Sequence, residues 1–437
     1  MRPVTVLGGG LAGSEAALQL AARGIPVRLI EMRPGVTTPA HRTPGLAELV
    51  CSNSLKSTDE TNASGLLKKE LGNLGCMLLE AARSSAVPAG HALAVDREEF
   101  SSRVTRIIED EHLIELVRRE QEDLDLPGEV IVATGPLTSP SLSRSIIEHF
   151  GEDSLHFYDA ISISIGSESI ERTGAFSGSR YGKGGDDYLN VPFDEEQYSA
   201  LVGFLRAAPR TGRKDFESGR CFEACLPVEE MAQRGEDALR YGPLKPRGLV
   251  DPRTGSEPYA VLQLRQEKLD GSILGLVGFQ TRLTRPAQRK MLSLVPGLRN
   301  AEIVRWGAIH RNTFIDSPRL LESGMMSKRR EGLYFAGQIT GVEGYVESIA
   351  HGLLAALDLA ARLRGEQLET LPPETMTGAL FRYLTEKRED FQPMNANLGL
   401  LPPVKGKRRE RRVLKAERAI EALLAWEARN HAAVRDV

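Results

Sequence analysis

Disulfide bonds, membrane spans and a strong charge of either sign are all missing from this chain. Four cysteines in 437 residues are too few for a disulfide scaffold. Each is therefore expected as a thiol, filling core or doing chemistry, in the reducing cytoplasm. No apolar run is long enough to cross a bilayer, and no membrane partner is expected. The first strand-like run begins at residue 4, so no signal or transit peptide is expected. A formal net charge of −3 excludes a polycation, so any nucleic-acid surface must be a local patch. Cys221 and Cys225 form a C-x₃-C with no second pair nearby, which argues against zinc, and no metal site is expected. No internal repeat is visible, no low-complexity segment beyond a basic C-terminal run, and nothing that marks an obligate protein partner. What is present is a 41% hydrophobic content, enough for sizeable cores in two or three domains.

The N-terminal stretch Val4-Thr5-Val6-Leu7-Gly8-Gly9-Gly10-Leu11-Ala12-Gly13-Ser14-Glu15 is the most informative segment. A β-branched strand enters Gly8, Gly10 and Gly13, and a helical run follows from Ser14 to Ala22. That order is the G-x-G-x-x-G dinucleotide fingerprint in its required context. Gly8 permits the tight turn, Gly10 lets the backbone approach a pyrophosphate, and Gly13 lets helix and strand pack closely. The exposed N–H groups and the positive end of the helix then receive the phosphates, with Gly9, Leu11 and Ala12 counted among the cofactor-binding residues. The helix stops at Gly24, and Val27–Ile30 forms a second strand ending in Glu31, 18 residues past Gly13. An acid there can hydrogen-bond a ribose 2′-OH.

Further along, Asp96 to Phe100 opens a helix running to about Glu111, Leu113–Val117 reads as a strand, and Glu129 to Pro136 reads as a buried strand breaking at a glycine turn. An apolar strand ending in Ala133-Thr134-Gly135 resembles the segment that closes the FAD domain in flavoproteins of the glutathione-reductase type. Residues 152–300 differ in texture, with short strands such as 157–165 and 260–264 between loops. They read as an inserted α+β substrate domain that carries Cys225. A late glycine-rich stretch, Gly332 to Tyr345, contains Gly337, Gln338 and Gly341 and leads into an apolar helix from Glu347 to Leu363. Two such segments about 320 residues apart suit FAD better than NAD alone, whose motifs stay within one βαβαβ half. The expected fold is α/β: a glutathione-reductase-like Rossmann FAD domain, discontinuous over 1–151 and 301–437, with the 152–300 insert between.

Cys51 lies in the polar, turn-like Cys51-Ser52-Asn53-Ser54 after an apolar trio. Cys225 precedes Pro227, which suits the first position of a helix, so the thiol stands near a helix N-terminus where a thiolate is favoured, although Glu229 and Glu230 oppose this. Either cysteine is a reactive thiol or packed filler on these grounds. Cys76, among Leu74–Leu79, reads as core filler on an apolar helix face. His310, with Arg311 and Asn312, is placed at the end of a strand and before polar residues, where α/β proteins bind ligands. The run Lys405–Arg418 holds eight basic and two acidic residues. It is either the solvated face of an amphipathic helix ending at Trp426 or a contact for RNA phosphates.

At these motifs the chain closely resembles the folate- and FAD-dependent tRNA (uracil-5-)-methyltransferases, the TrmFO family. The likeness runs nearly end to end through eight segments in the family's order. They are the N-terminal glycine run, Glu48–Ser54, Ala94–Arg97, Phe222–Glu229, Val277–Thr281, His310–Thr313, Gly337–Tyr345 and Gln392–Asn397. Uracil C5 attacks a one-carbon donor only after a thiolate has added to C6. The resemblance implies that Cys225 is that nucleophile and that Cys51, near the flavin, takes the C5 proton. It implies 5,10-methylenetetrahydrofolate as carbon donor, FADH₂ as reductant, and NADH or NADPH to restore it. His310, Arg311 and Tyr345 then face the folate. The RNA partner is the T arm of tRNA, with uridine 54 unstacked to reach the site. Where many relatives carry a third cysteine this chain has Val191, and Thr43-Pro44-Gly45-Leu46 replaces the usual Thr-Asp-x-Phe.

Alternatives remain. One is the same chemistry on ribosomal RNA, since the basic tail is dense. Another is a generic NAD(P)H-dependent flavin oxidoreductase, which predicts a second G-x-G-x-x-G that residues 150–300 lack. A third, a non-catalytic RNA-binding flavoprotein, leaves Cys51 and Cys225 unexplained.

Overall fold

The computed structural model describes residues 2–38, 40–151, 155–182, 185–211, 226–389 and 391–430, with 155–159, 310–311 and 408–409 described in their backbone only. Five short strands make a parallel sheet in the order Leu333–Phe335, Val130–Val132, Val4–Leu7, Val27–Glu31, Ile114–Arg118. Val4–Leu7 and Val130–Val132 are buried throughout. A parallel sheet covered on both faces needs continuous apolar strands, and these have them. On one face the helix Leu11–Ala22 packs against Tyr345–Leu363. The two helices approach so closely that a Cβ on Gly352 would stand 2.0 Å from the Ala12 carbonyl oxygen. The other face is filled by Leu7, Val130, Val132, Phe150 and Phe335.

A second, mixed sheet runs Ile303–Arg305, Leu155–Gly166, Ile273–Gln280, Ala260–Gln266, Tyr188–Phe193, Phe176–Ser177, with Ala308–Phe314 also paired to Leu155–Gly166. Its described pairings are antiparallel. The helices Glu195–Ala207, Val228–Gln233 and Arg285–Ser293 contribute to a separate core with Ile163, Phe193, Tyr198, Leu262 and Phe279. Val191 is buried in this core at 2% exposure, so the position offers no reactive group at a surface. The α/β class with an α+β insert is thus the observed architecture.

Several expected boundaries shift. The second sheet does not stop at 300: its last strand ends at Phe314, because Ala308–Phe314 finds a seven-residue antiparallel partner in Leu155–Gly166. The chain rejoins the first sheet at Leu333. The first helix starts at Leu11, with Gly10 as its extended N-cap, and the late helix starts at Tyr345. Asp96 caps Arg97–Asp110 by accepting from the Glu98 and Glu99 N–H groups. Cys76 is at an N-cap position ahead of Met77–Ser84, not within the helix, and burial pushes its thiol well up from the ordinary range. The basic run enters the helix Arg408–Arg429, whose Ala416, Ala419, Leu423 and Trp426 are buried at three- and four-residue spacing. Among the described residues, no helix is long and apolar enough to cross a membrane.

Candidate active site

The chain turns at Gly8 with φ +96°, where a Cβ would meet the Ala133 carbonyl oxygen at 2.7 Å. Gly13 is tighter: its Cβ would stand 1.9 Å from the Gly8 carbonyl oxygen. Gly10 is the opposite case. A Cβ there meets no protein atom within 4 Å. Its open side belongs to a cleft of about 1030 Å³ lined by Gly8, Gly10, Leu11, Ala12, Glu31, Gly337 and Gln338. Thr134 to Ser139 form part of the wall, as do Thr38, His41 and Arg119. Gly9, Gly13 and Gly341 do not line it. Gly9 faces Leu46 and Glu31, and a Cβ on Gly341, at φ +88°, would meet Phe391 at 2.6 Å. These three glycines answer packing and turn geometry.

Glu31 ends its strand buried at the rim of this cleft. One carboxylate oxygen accepts the Gly9 N–H at 2.8 Å, and the other accepts the Arg33 N–H and Nε–H. Burial alone would raise its carboxyl, but the Arg33 and Gly9 donors outweigh this and hold it below the ordinary carboxylate range. Glu31 thus braces the glycine turn as well as facing the cleft, a role its spacing alone did not announce.

A second compartment of about 1080 Å³ adjoins the first, sharing Val50, Pro136, Leu137, Gln338 and Tyr345 as walls. Cys51 lines it with Ser52, Gln280, Asn312, Glu343 and Glu347. The Cys51 thiol is half-buried, its Sγ 3.5 Å from the Ala160 carbonyl oxygen. The loop around it is held from both lobes. The Tyr345 hydroxyl accepts the Cys51 and Ser52 N–H groups at 2.9 and 3.0 Å. From the insert, Arg305 donates to the Val50 carbonyl, and Arg265 donates to Ser52 Oγ and Asn53 Oδ1. Glu347 Oε1 accepts from Lys56 and from the Ala396 N–H. Burial, with Cys51 beside it, pushes the Tyr345 phenol well up, so it stays protonated.

The structure brings Cys51 and the glycine turn to two adjoining spaces, with Gln338 and Tyr345 lining both. His310 and Arg311 sit in the middle of the strand Ala308–Phe314, not at its end, because register pairing to Asp159 and Tyr158 overrides the low strand propensity of a His-Arg-Asn run. Their neighbour Asn312 does reach the compartment. Cys225 and Cys221 lie outside the described residues. Pro227 is the N-cap of Val228–Gln233, one place earlier than expected, with Glu229 and Glu230 in the first turn. Sequence reasoning does not single out Lys56 or Glu347 as lining residues, because nothing in their local pattern separates them from surface or helix-cap residues; Gln280 lies in the family segment Val277–Thr281, which by itself assigns it no place in the compartment. Among the described residues, no group of three or more His, Cys, Asp or Glu side chains is placed to hold a metal ion.

A protein-family model described as glucose inhibited division protein A matches residues 3–367. Curated relatives described as methylenetetrahydrofolate–tRNA-(uracil-5-)-methyltransferase TrmFO are close in sequence. The one from Geotalea uraniireducens is 53% identical over 427 residues, covering 97% of this chain and 98% of the relative. The one from Aquifex aeolicus is 50% identical over 431 residues, covering 98% and 97%. Among solved structures, Aquifex aeolicus GidA in its form II crystal superposes with a TM-score of 0.71 at 17% identity, over 97% of this chain and 73% of that one. That likeness establishes a shared fold.

Proposed function

This chain belongs to the TrmFO family, and from that premise we propose that it is a methylenetetrahydrofolate–tRNA-(uracil-5-)-methyltransferase making 5-methyluridine at position 54 of the T loop. The single observation that carries the reading is the position of Cys51. Its half-buried thiol lines a compartment that shares Val50, Pro136, Leu137, Gln338 and Tyr345 as walls with the glycine-lined cleft.

The cleft fits FAD. Gly10 leaves room where a pyrophosphate would approach, the N-terminus of Leu11–Ala22 lies there, and Gly337, at φ +78° and packed against Ala12, also lines it. When bound and reduced, that flavin supplies the hydride that turns an exocyclic methylene on uracil into a methyl group, and NADH or NADPH restores it. The remaining steps belong to the chain's thiols. Cys225 adds to uracil C6, which makes C5 nucleophilic toward the methylene carbon of 5,10-methylenetetrahydrofolate. Cys51 takes the C5 proton as tetrahydrofolate leaves, and Cys225 departs when the C5–C6 double bond re-forms. Asn312, Gln280 and Tyr345 border the space in which the folate ring would lie between Cys51 and the flavin.

The test is formation of 5-methyluridine in unmodified tRNA from methylenetetrahydrofolate and NADPH without S-adenosylmethionine. Activity that required S-adenosylmethionine would overturn the reading. Methylation of ribosomal RNA in place of tRNA would keep the chemistry and change the target.

A further inference from the structure

We propose that Tyr345 is a positioning residue for Cys51, acting through its hydroxyl oxygen and not through its ring. This rests on the reading of Cys51 as the group that acts on substrate. The Cys51 segment is irregular chain, so its N–H groups have no ladder or helix partner and must be satisfied by something else. One phenolic oxygen accepts two consecutive N–H groups, at 2.9 Å from Cys51 and 3.0 Å from Ser52. A hydroxyl has two acceptor lone pairs. Both are taken, so this oxygen has no capacity left to accept from a ligand, and only its O–H remains to donate. The phenol is held protonated by burial and cannot replace Cys51 as a base.

The other holds on the loop act on neighbours. Arg305 binds the Val50 carbonyl, and Arg265 binds the Ser52 and Asn53 side chains. Among the described contacts, Tyr345 is the one that fastens the Cys51 main-chain N–H, and it does so from the first turn of the long helix Tyr345–Leu363, packed against the glycine-fingerprint helix. The placement of the thiol is thereby referenced to the same rigid helix pair that frames the cleft. Gly344 at φ +126° lets the chain enter that helix with Tyr345 directed to the loop.

Tyr345→Phe keeps the ring and removes the oxygen, which separates the two roles. The expected result is bound flavin at wild-type stoichiometry, a KM for methylenetetrahydrofolate within about twofold, and kcat reduced at least about tenfold by loss of thiol placement. Wild-type kcat, or a loss carried by KM, would overturn the proposal. Amide hydrogen exchange over residues 50–54 supplies a readout independent of turnover. The Cys51 and Ser52 amides should be protected in the wild-type protein and should exchange faster in the variant; unprotected amides in the wild type would also overturn it. If the wild type makes no 5-methyluridine, the functional reading fails while the exchange measurement still decides whether Tyr345 holds the loop.

Discussion

Gly13 is pressed against Gly8: a Cβ on Gly13 would stand 1.9 Å from the Gly8 carbonyl oxygen. Three residues earlier Gly10 has open space, with no protein atom within 4 Å of an added Cβ. Two glycines of one motif are therefore required for different reasons, one by the fold and one by whatever fills the cleft.

Substitution should separate them. Gly10→Val leaves the apoprotein's packing intact and obstructs the cleft, so it is expected to purify folded but without flavin absorbance. Gly13→Ala must push backbone against backbone, and a loss of about 3 kcal/mol in stability is expected. Thermal melting and the flavin spectrum, measured together on both variants, check this; bound flavin at wild-type stoichiometry in Gly10→Val would show that the phosphates lie elsewhere.

The two thiols should differ in what they abolish. Cys225→Ala is expected to lose both 5-methyluridine and the gel-shifted covalent adduct with 5-fluorouridine RNA. Cys51→Ala should lose the product and still trap the adduct, because the bond to C6 forms before the C5 proton leaves. The reverse pattern would exchange their roles. Cys76→Ala should retain turnover, with about 1–2 kcal/mol lost from the core.

Acid should weaken the fold through His351. Its ring is fully buried in Tyr345–Leu363, 3.1 Å from Thr340 Oγ1 and against Phe381, and burial lowers its pKa to about 3. The unfolded chain binds this proton near pH 6.5 and the folded chain only near 3, so stability is full above the higher value and falls as pH drops between the two. His351→Asn should show a smaller loss of melting temperature between about pH 7 and about pH 5 than the wild type, by a few degrees.

The basic helix is expected to divide by what each cation touches. Lys415 donates to the Leu398 and Leu401 carbonyls, and Arg418 to those of Pro402 and Pro403, so both brace the preceding segment. Arg411 and Arg412 are exposed. Replacing those two by Ala should weaken RNA binding and lower the salt slope by about 2. Lys415→Met should instead lower the melting temperature. An unchanged salt slope in the Arg411, Arg412 double variant would assign them to a solvated face.

Much of the architecture was legible in the chain because it depends on short-range demands. The strand–glycine–helix order of residues 4–22 states a backbone conformation that few other residues can adopt, and the apolar runs at Val130–Val132 and Leu333–Phe335 state burial on both faces. Cys51 could be picked out as a thiol in a polar turn, and the eight ordered motifs identified the family. The polar neighbours of His310 point to a strand end, because a local run does not reveal the partner strand about 150 residues earlier that extends the pairing through it.

What the sequence by itself determined is the cofactor class, the candidate thiols and the family, since each rests on residue types at fixed spacing. Only the tertiary structure decided which glycines face the cleft, that Glu31 braces the glycine turn through Gly9 and Arg33, and that the Tyr345 oxygen holds the Cys51 main chain across 294 residues. The reason is physical. Turn conformation and helix or strand period are set by neighbours along the chain, whereas a hydrogen bond between distant segments exists only after the core has packed and brought those segments together.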